Sequence, residues 1–228
     1  MEIYGHRGAS GVVLENTVAS IKKAIELKVD GIEFDVRATK DSKPVVIHDD
    51  TLERTHKIKG KVADLTLAEL QALVKDTEFP VPKLSQIMTA IGKKVPANLE
   101  LKEIEAVGPT LNVLNEMVEA KMISPEQILI TSFDHKAVAL FREHTEKYKL
   151  GLLTGEIPEE AYWDLAKSLD VYSVNISKKA VNEEFVKRAH KDGRKVMVYT
   201  VNEKPVAEKL EAMGVDAIFS DVPDKVRK

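Results

Sequence analysis

The chain has 228 residues, of which 43% are hydrophobic, and this is enough for one α/β or all-β barrel with an ordinary core. It contains no cysteine, which excludes disulfides, thiolate catalysis and cysteine-ligated zinc. Its 34 basic and 37 acidic residues leave a net charge of −3, so the bulk charge does not favour nucleic acid as a partner. No apolar run is long enough for stable membrane insertion, and no secretion signal is recognisable, so we expect a cytoplasmic protein.

Short β-like segments alternate with amphipathic segments along the chain. The predicted strands are Ile3–Gly5, Gly31–Asp35, Pro44–Ile47, Ala97–Leu101, Ile128–Thr131, Lys149–Leu153, Val171–Ile176, Lys195–Thr200 and Ala217–Phe219. The predicted helices are Asn16–Leu27, Leu67–Lys75, Leu84–Ile91, Val107–Ala120, Lys136–His144, Glu159–Ser168, Glu183–Lys191 and Lys204–Met213. Gly92, Gly193 and Gly214 mark helix ends.

This alternation predicts right-handed βαβ units and a parallel sheet. About eight such units fit a closed (β/α)8 TIM barrel, whereas a doubly wound open sheet is the alternative. No Gly-x-Gly-x-x-Gly follows a strand, which counts against the dinucleotide-binding form of the open sheet.

The segment Asp49–Pro82 breaks the alternation of strands and helices. We interpret it as a small insertion with one helix, after the second barrel strand of a single domain spanning residues 1–228.

Polar side chains at the strand ends favour the barrel over the open sheet. In a (β/α)8 barrel the carboxyl ends of all strands surround one active site. Nearly every predicted strand of this chain ends in such residues, which are His6, Arg7, Glu33, Asp35, His48, Glu100, Lys102, Ser132, Thr154, Asn175, Ser177, Thr200, Asn202, Ser220 and Asp221.

Three carboxylates among these residues predict a metal site. Glu33 and Asp35 are two apart on one strand, so both point to one face while Phe34 points into the helix layer. Together with Glu100 they would repel one another without a cation, and hard oxygen ligands suit Mg²⁺ or Ca²⁺ better than zinc. The alternative is an ordinary strand-end pair, solvated or bound to lysine. Histidines at neighbouring strand ends favour the metal site.

His6 and His48 end two different strands and are the candidate acid and base. A phosphodiester needs a base for the attacking oxygen and an acid for the leaving alkoxide, and histidine suits both roles near neutral pH. The other four histidines fall in predicted loops or helices, and we interpret them as structural.

Arg7 and Lys102 are candidate phosphate ligands, since arginine offers a fork of donors and lysine a point charge. Arg7 has an alternative role as an ion-pair partner of Glu15 or Asp221. Lys102 has an alternative role as a Schiff-base lysine. The neighbouring carboxylates would raise its pKa rather than lower it, which disfavours that role.

Eight short segments of the chain are weak signals individually but highly specific in their order and spacing. They are His6-Arg7-Gly8, Glu15-Asn16-Thr17, Glu33-Phe34-Asp35-Val36, His48-Asp49-Asp50-Thr51-Leu52-Glu53-Arg54-Thr55, Asn98-Leu99-Glu100-Leu101-Lys102, Ser132-Phe133, Thr200-Val201-Asn202, and Gly214-Val215-Asp216-Ala217-Ile218 running into Ser220-Asp221-Val222-Pro223. Through these segments the chain resembles the glycerophosphodiester phosphodiesterases over essentially its whole length.

The resemblance implies the same (β/α)8 barrel and a metal-dependent phosphoric diester hydrolase of lipid and glycerol metabolism, with Mg²⁺, Ca²⁺ or alternatively Mn²⁺. The implied residues are Glu33, Asp35 and Glu100 for the metal, His6 and His48 for acid–base catalysis, Arg7 and Lys102 for the phosphate, and Glu15, Asn16, Asp49, Ser132, Tyr199 and Asn202 for support of the site or its substrate pocket. For Glu15 and Asn16, a role in the helix N-terminal cap is an equal alternative.

The substrates implied by the resemblance are small glycerophosphodiesters such as glycerophosphocholine and glycerophosphoethanolamine. The products would be sn-glycerol 3-phosphate and a free alcohol, formed when a glycerol hydroxyl attacks phosphorus and water opens the resulting cyclic phosphate. We expect a monomer or a homodimer. Tyr199 stands where the family commonly has tryptophan, so it offers an aromatic wall with an added hydroxyl.

Two alternatives to this activity are considered. A lysophospholipase D-type enzyme would need an apolar access surface, for which Ile58–Phe79 in the insertion is the candidate. That segment is charged and has few aromatic residues, which disfavours this alternative. A non-catalytic phosphate-binding barrel would have lost a metal ligand or a histidine, and this chain retains all the matching positions.

Overall fold

The computed structural model describes residues 1–227, and Lys228, the last residue of the predicted domain, lies outside the described part. Eight parallel strands form a barrel that closes because the first strand pairs with both the second and the last. The strands are β1 (Glu2–Gly5), β2 (Gly31–Ala38), β3 (Pro44–Val46), β4 (Ala97–Leu101), β5 (Ile128–Ser132), β6 (Lys149–Thr154), β7 (Ser173–Ser177), β8 (Lys195–Tyr199) and β9 (Ala217–Ser220), with all but β3 in the barrel. The predicted (β/α)8 barrel is confirmed.

Helices cover the outside of the barrel, and most of their bounds lie within two residues of those predicted. They are α1 (Val18–Glu26), α2 (Glu53–His56), α3 (Leu67–Val74), α4 (Leu84–Ile91), α5 (Val107–Glu119), α6 (His135–His144), α7 (Glu160–Ser168), α8 (Glu183–Lys191), α9 (Lys204–Met213) and α10 (Pro223–Val226). Gly92 and Gly214 end α4 and α9 with positive φ angles of 56° and 92°, which a glycine adopts without strain.

The predicted strand Pro44–Ile47 is present as β3, but it lies outside the parallel barrel. The sequence predicts nine strands for about eight units and does not say which strand lies outside the barrel. β3 runs antiparallel to β2, with Val46 opposite Val36 and Pro44 opposite Ala38. The physical reason is the connection of only five residues, because a parallel pair needs a crossover of a dozen or more.

The insertion therefore follows a β-hairpin and holds more than the single predicted helix. It contains α2, a 3₁₀ turn at Val62–Asp64, and α3. Its apolar side chains pack with those of β3 in a cluster separate from the main core. The buried members of this cluster are Val45, Ile47, Leu52, Val62, Leu70, Val74 and Val81.

Apolar side chains fill the middle of the barrel and separate a cavity at the amino-terminal end from the mouth at the carboxyl ends of the strands. The filling cluster consists of Tyr4, Leu129, Met197, Ala217 and Phe219. The rings of Tyr4 and Phe219 meet edge to face, with their centroids 5.7 Å apart. No helix within residues 1–227 has the length and apolar character needed to cross a membrane.

Candidate active site

The barrel mouth contains a cavity of about 160 Å³. It is lined by His6, Arg7, Glu33, His48, Asn98, Glu100, Lys102, Thr131, Phe133, Leu153, Tyr199, Thr200 and Phe219. Both candidate acid–base histidines, both candidate phosphate ligands and two of the three candidate metal ligands therefore face one space. The third metal ligand, Asp35, lies beside them.

The three carboxylates form a compact cluster. One oxygen from each of Glu33, Asp35 and Glu100 lies within 4.8 Å of the others. Asp35 and Glu100 are direct neighbours across the β2–β4 pair, which explains their proximity. Glu33 is buried, and its Oε1 has no hydrogen-bond partner within the described residues. A buried oxygen without a partner is unfavourable, and this all-oxygen donor set fits Mg²⁺ or Ca²⁺.

The pKa shifts of these three carboxyl groups indicate that the surroundings do not stabilise all three in their charged form. Burial, and then the charge of Asp35, raise the pKa of Glu33 to about 8. Burial and Asp35 also raise the pKa of Glu100. Burial opposes ionisation of Asp35 as well, but Arg7 and Lys102 outweigh it and lower the pKa of Asp35. The site therefore stabilises one carboxylate well and the other two poorly.

Arg7 is held against the cluster from two sides. Its Nε lies 3.3 Å from Asp35 Oδ2, and its Nη1 donates to Glu15 Oε1 at 2.7 Å. Its backbone N–H donates to Glu33 Oε2 at 2.8 Å, which the left-handed φ of 54° at Arg7 makes possible. The pairing with Glu15 that we considered as an alternative thus occurs together with the approach to the carboxylates. The guanidinium is fixed before any ligand binds.

Lys102 lies on the other side of the cluster. Its Nζ donates to Glu100 Oε1 and lies 3.4 Å from Asp35 Oδ1. Burial acts to lower the pKa of Lys102, but Asp35 and Glu100 outweigh it and raise that pKa. Lys102 therefore keeps its proton at neutral pH, whereas a Schiff-base lysine must lose it. This agrees with the sequence argument against a Schiff-base role.

His6 is oriented by the last barrel strand. Its Nδ1 lies 2.6 Å from Asp221 Oδ1, and its Nε2 lies 3.9 Å from Glu33 Oε2. Asp221 is in turn held by Asn202 Nδ2 at 2.6 Å and by the Ser10 hydroxyl at 2.7 Å. Burial acts to lower the pKa of His6, but the hydrogen bond with Asp221 and the charge of Glu33 raise it above its ordinary value.

His48 reaches the mouth through the β2–β3 hairpin rather than from a barrel strand. The hairpin returns the chain to the mouth, where the Ile47 N–H donates to the Asp35 carbonyl at 3.1 Å. The Nδ1 of His48 lies 2.7 Å from Asp49 Oδ1, so Nε2 remains for a substrate. Burial lowers the pKa of His48, although Asp35 and Asp49 oppose the shift.

The Glu15-Asn16-Thr17 segment combines a helix cap with support of the site. Thr17 is the N-cap of α1, and its side chain accepts from the Ser20 N–H. Asn16 instead faces the site, where its Nδ2 donates to Asp35 Oδ2 at 2.8 Å and its Oδ1 accepts from the Asp35 N–H at 3.1 Å. The amide of Asn16 therefore fixes both the backbone and the side chain of Asp35.

Tyr199 lies on the less polar side of the cavity. Its hydroxyl donates to the Thr154 carbonyl at 2.7 Å, and its ring meets that of Phe133 edge to face at 5.8 Å. Leu153 and Phe219 line the cavity with these two rings. The cavity is therefore lined by an apolar group of side chains as well as by the charged cluster.

Ser132 does not line this cavity. Its buried hydroxyl donates to the Leu101 carbonyl at 2.6 Å and accepts from the Asp134 N–H at 2.9 Å. These bonds join the ends of β4 and β5. In this structure the contacts of Ser132 are to the backbone, at a distance from the charged groups.

The sequence predicts a supporting role for Asp221 but not its partner, and it predicts no role for Arg54. Asp221 was an alternative ion-pair partner of Arg7, whereas it contacts His6. The signal that points to it is its position at the end of the last strand, next to β1 in a closed barrel. Arg54 belongs to one of the matching segments, and it bridges Glu15 and Asp49. Its predicted position in the insertion gave no indication of this.

Comparison with known proteins agrees with the geometry. The model of the Glycerophosphoryl diester phosphodiesterase family matches residues 6–225. A glycerophosphodiester phosphodiesterase of Caldanaerobacter subterraneus subsp. tengcongensis is 33% identical over 239 residues, covering 97% of this chain and 94% of the relative. One of Bacillus altitudinis is 31% identical, covering 100% of this chain and 97% of the relative.

A similar structure has also been solved. It is a phosphodiesterase of Oleispira antarctica in complex with the product sn-glycerol-3-phosphate. Its TM-score to this chain is 0.90 at 29% sequence identity, covering 99% of this chain and 95% of that one. The similarity therefore extends over both whole chains and includes the barrel mouth.

Proposed function

Because the chain belongs to the glycerophosphoryl diester phosphodiesterase family and is a phosphoric diester hydrolase, we propose that it cleaves small glycerophosphodiesters in a metal-dependent reaction. The proposed products are sn-glycerol 3-phosphate and a free alcohol. Glycerophosphocholine and glycerophosphoethanolamine are the proposed substrates. The product named in the Oleispira antarctica complex supports the glycerol phosphate part of this proposal.

One observation supports the proposal above all. A cluster of three carboxylates lies beside two histidines, His6 and His48, each of which has its Nδ1 bound by an aspartate. This arrangement leaves both Nε2 atoms for proton transfer next to a site for a divalent cation. Phosphate diester cleavage needs these groups together, because charge on phosphorus and on the leaving oxygen must both be neutralised.

Glu33, Asp35 and Glu100 are the residues proposed to hold the cation. Their oxygens and the unpartnered Glu33 Oε1 fit a hard divalent ion. When bound, such an ion would supply Lewis-acid stabilisation of the phosphoryl oxygens. Mg²⁺ and Ca²⁺ both match these ligands, and Mn²⁺ is a third option.

The remaining groups bind the phosphate and move protons. Arg7 and Lys102 are proposed to contact the phosphoryl oxygens from two sides of the carboxylate cluster. One of His6 and His48 accepts the proton of a glycerol hydroxyl as it attacks phosphorus, and the other donates a proton to the departing alkoxide. Water then opens the cyclic phosphate with the two roles exchanged.

The less polar wall is proposed to contact the substrate's uncharged parts. Phe133, Leu153 and Tyr199 line the same cavity as the charges, so a diester with its phosphate on Arg7 and Lys102 would place carbon atoms against them. Tyr199 offers its ring rather than its hydroxyl, because the hydroxyl is bonded to the Thr154 carbonyl. We propose that this wall influences which alcohol is released.

The test is a matrix of metals and substrates with purified protein. Mg²⁺, Ca²⁺ and Mn²⁺ are each added after chelation to assays with glycerophosphocholine, glycerophosphoethanolamine and lysophosphatidylcholine. The released choline or ethanolamine is measured in every assay, and sn-glycerol 3-phosphate is measured as the second product of the first two substrates. We expect chelation to abolish turnover of the first two substrates and at least one cation to restore it. Undiminished activity in chelator would contradict the metal requirement. Preference for lysophosphatidylcholine would favour the lysophospholipase D-type alternative.

The structure supports the smaller substrates over the acylated one. The alternative requires an apolar access surface on the insertion, but its apolar side chains pack into a cluster of their own. Leu73 is the one large hydrophobic residue of residues 49–82 that is strongly exposed. Location in the cytoplasm and a monomeric or homodimeric state remain predictions from the sequence.

A further inference from the structure

We propose that Arg54 is a positioning residue that joins His48 to Arg7, and that it acts through Asp49 and Glu15. The inference rests on the proposed function and adds to it a residue outside the cavity. Arg54 does not line the cavity, so its influence on a reaction there must pass through other side chains.

The contacts of Arg54 involve every nitrogen of its guanidinium. Nε donates to Asp49 Oδ2 at 2.5 Å, and Nη2 donates to Asp49 Oδ1 at 3.0 Å. Nη1 donates to Glu15 Oε2 at 2.8 Å, and Nη2 donates also to Glu15 Oε1 at 2.6 Å. Both carboxylates are therefore held in two-point contacts, which fix their rotation as well as their position.

Each of these carboxylates orients one functional group. Asp49 Oδ1 is bonded to His48 Nδ1 at 2.7 Å, and Glu15 Oε1 accepts from Arg7 Nη1 at 2.7 Å. The result is a continuous chain of bonds from the candidate acid–base histidine to the candidate phosphate ligand. Its two ends come from different parts of the fold, since Glu15 precedes α1 and Asp49 follows β3.

The shape of the arginine side chain is essential to this bridge. An exposed ion pair contributes little by itself, and the Arg54 side chain is 49% exposed. Its partner Glu15 is only 15% exposed, however, and it already bonds Arg7. A planar fork with five donors can satisfy both carboxylates at once, whereas a lysine offers a point charge that cannot reproduce the two-point contacts.

The kinetic test compares Arg54→Ala and Arg54→Lys with the wild type under the metal and substrate that give the highest activity. We expect both variants to lose about 100-fold in kcat, because a small displacement of reacting groups has an effect of this order. Added guanidinium at millimolar concentration should restore part of the activity of Arg54→Ala but not of Asp49→Ala. Wild-type kcat in Arg54→Lys would overturn the proposal, since charge alone would then suffice.

The matched control is Arg188→Ala. Arg188 also pairs with a carboxylate, that of Glu160, and stacks on Trp163 on the outer helices, and none of these three residues lines the mouth cavity. We expect its kcat to stay at the wild-type value. A comparable loss of kcat in this control would assign the effect of Arg54→Ala to general destabilisation and overturn the proposal.

A second test reads the tautomer of His48 and needs no turnover. In ¹⁵N-histidine-labelled protein, two-bond ¹H–¹⁵N spectra distinguish a proton on Nδ1 from one on Nε2, and the spectrum of His48→Gln assigns the signal. We expect the Nδ1–H tautomer in the wild type and a mixture of both in Arg54→Ala. An unchanged tautomer in a folded Arg54→Ala protein would overturn the proposal.

The two tests separate this inference from the proposed function. If the wild type cleaves none of the diesters but Arg54→Ala still changes the His48 tautomer, the proposed function fails and the positioning role stands. If the diesters are cleaved and neither the tautomer nor kcat responds to Arg54→Lys and Arg54→Ala, the positioning role fails alone.

Discussion

Carboxylates occur at both ends of the barrel, but their surroundings are opposite. At the amino-terminal end, Asp216 accepts from the Val196 N–H and from Lys195 Nζ, and His190 Nε2 lies 2.8 Å from its Oδ2. Burial acts to raise the pKa of Asp216, but these partners lower it. At the mouth, Glu33 is buried with an unpartnered oxygen, and its pKa is raised to about 8.

This difference implies that the carboxylates at one end affect mainly the stability of the fold, and those at the other end mainly the activity. A carboxylate surrounded by donors stabilises the fold, and one end of the barrel uses its acidic residues in this way. At the other end, close carboxylates oppose one another and gain most from a bound cation. Proteins commonly accept such local cost at functional sites. Changes at the two ends should therefore have separable effects on activity and on unfolding.

The largest effect should come from the histidines of the mouth. We expect His6→Ala and His48→Ala each to lower kcat by about 10²–10⁴-fold, because a general acid or base contributes that much. The free energy of unfolding, measured in urea, should change little in comparison. His144→Ala on α6 is the control, since its exposed side chain bonds only a carbonyl of its own helix. Near-normal turnover in His6→Ala would show that His6 is not required for proton transfer.

The second-largest effect is expected at Glu33, where a substitution should lower function and raise stability. Glu33→Gln replaces a buried carboxyl, whose pKa of about 8 reflects the cost of its ionisation, with a neutral amide that can still accept from the Arg7 N–H. We expect a higher Tm than the wild type in chelator, and no further rise on adding the activating cation. For the wild type, a cation at 100 times its Kd should add about 2.7 kcal/mol to the free energy of unfolding. A lower Tm of Glu33→Gln in chelator would refute the proposed repulsion.

A change at the amino-terminal end should show the reverse pattern. Asp216→Asn weakens bonds to a charged acceptor, so we expect a loss of about 1.5–3 kcal/mol in the free energy of unfolding and an unchanged kcat. Asp192→Asn, at an exposed position after α8, is the control. A loss of kcat in Asp216→Asn at full folding would show that the two ends are not separable.

The loss of stability in Asp216→Asn should be present at neutral pH and disappear in strong acid. The pKa of Asp216 is lower in the folded protein than its ordinary value of 3.8, so the folded state binds its proton less tightly. The stabilisation is therefore fully present above about pH 4–5 and disappears as the pH falls through the folded pKa. Urea unfolding of wild type and Asp216→Asn should differ at pH 7 and converge in strong acid.

The smallest effect is expected at Tyr199, where the mouth contains an ordinary neutral hydrogen bond. Tyr199→Phe removes the bond to the Thr154 carbonyl and keeps the ring contact with Phe133. We expect a loss of about 0.5–1.5 kcal/mol in the free energy of unfolding. The ratio of kcat/KM values for choline and ethanolamine diesters should change less than tenfold. A larger change would give the hydroxyl itself a role in selecting the alcohol.

The barrel was predictable because its signals are local and repeat along the chain. Each strand–helix unit shows its period, and the two-residue spacing of Glu33 and Asp35 places both on one face without knowledge of the fold. The sequence analysis predicted the strand that became β3 but not its direction, although the five-residue connection after Ala38 already excludes a parallel crossover.

The bridge by Arg54 was not predictable in the same way. Its partner Glu15 is 39 residues away, and both lie in irregular or very short elements with no periodic pattern. The contact between Asp221 and His6 spans 215 residues and exists only because the barrel closes. Contacts of this kind depend on the complete topology, which local patterns do not encode.

The β2–β3 hairpin connects two parts of the candidate site. The Ile47 N–H donates to the Asp35 carbonyl across it, so the proposed metal ligand Asp35 and the candidate acid–base residue His48 are held by one support. Residues 57–82 do not line the cavity, but Val62, Leu70, Val74 and Val81 pack in one cluster with Val45, Ile47 and Leu52, which flank His48 in the sequence. This segment therefore supports the position of His48 from outside the cavity. A graft that changes access to the mouth must keep these apolar contacts if His48 is to stay in place.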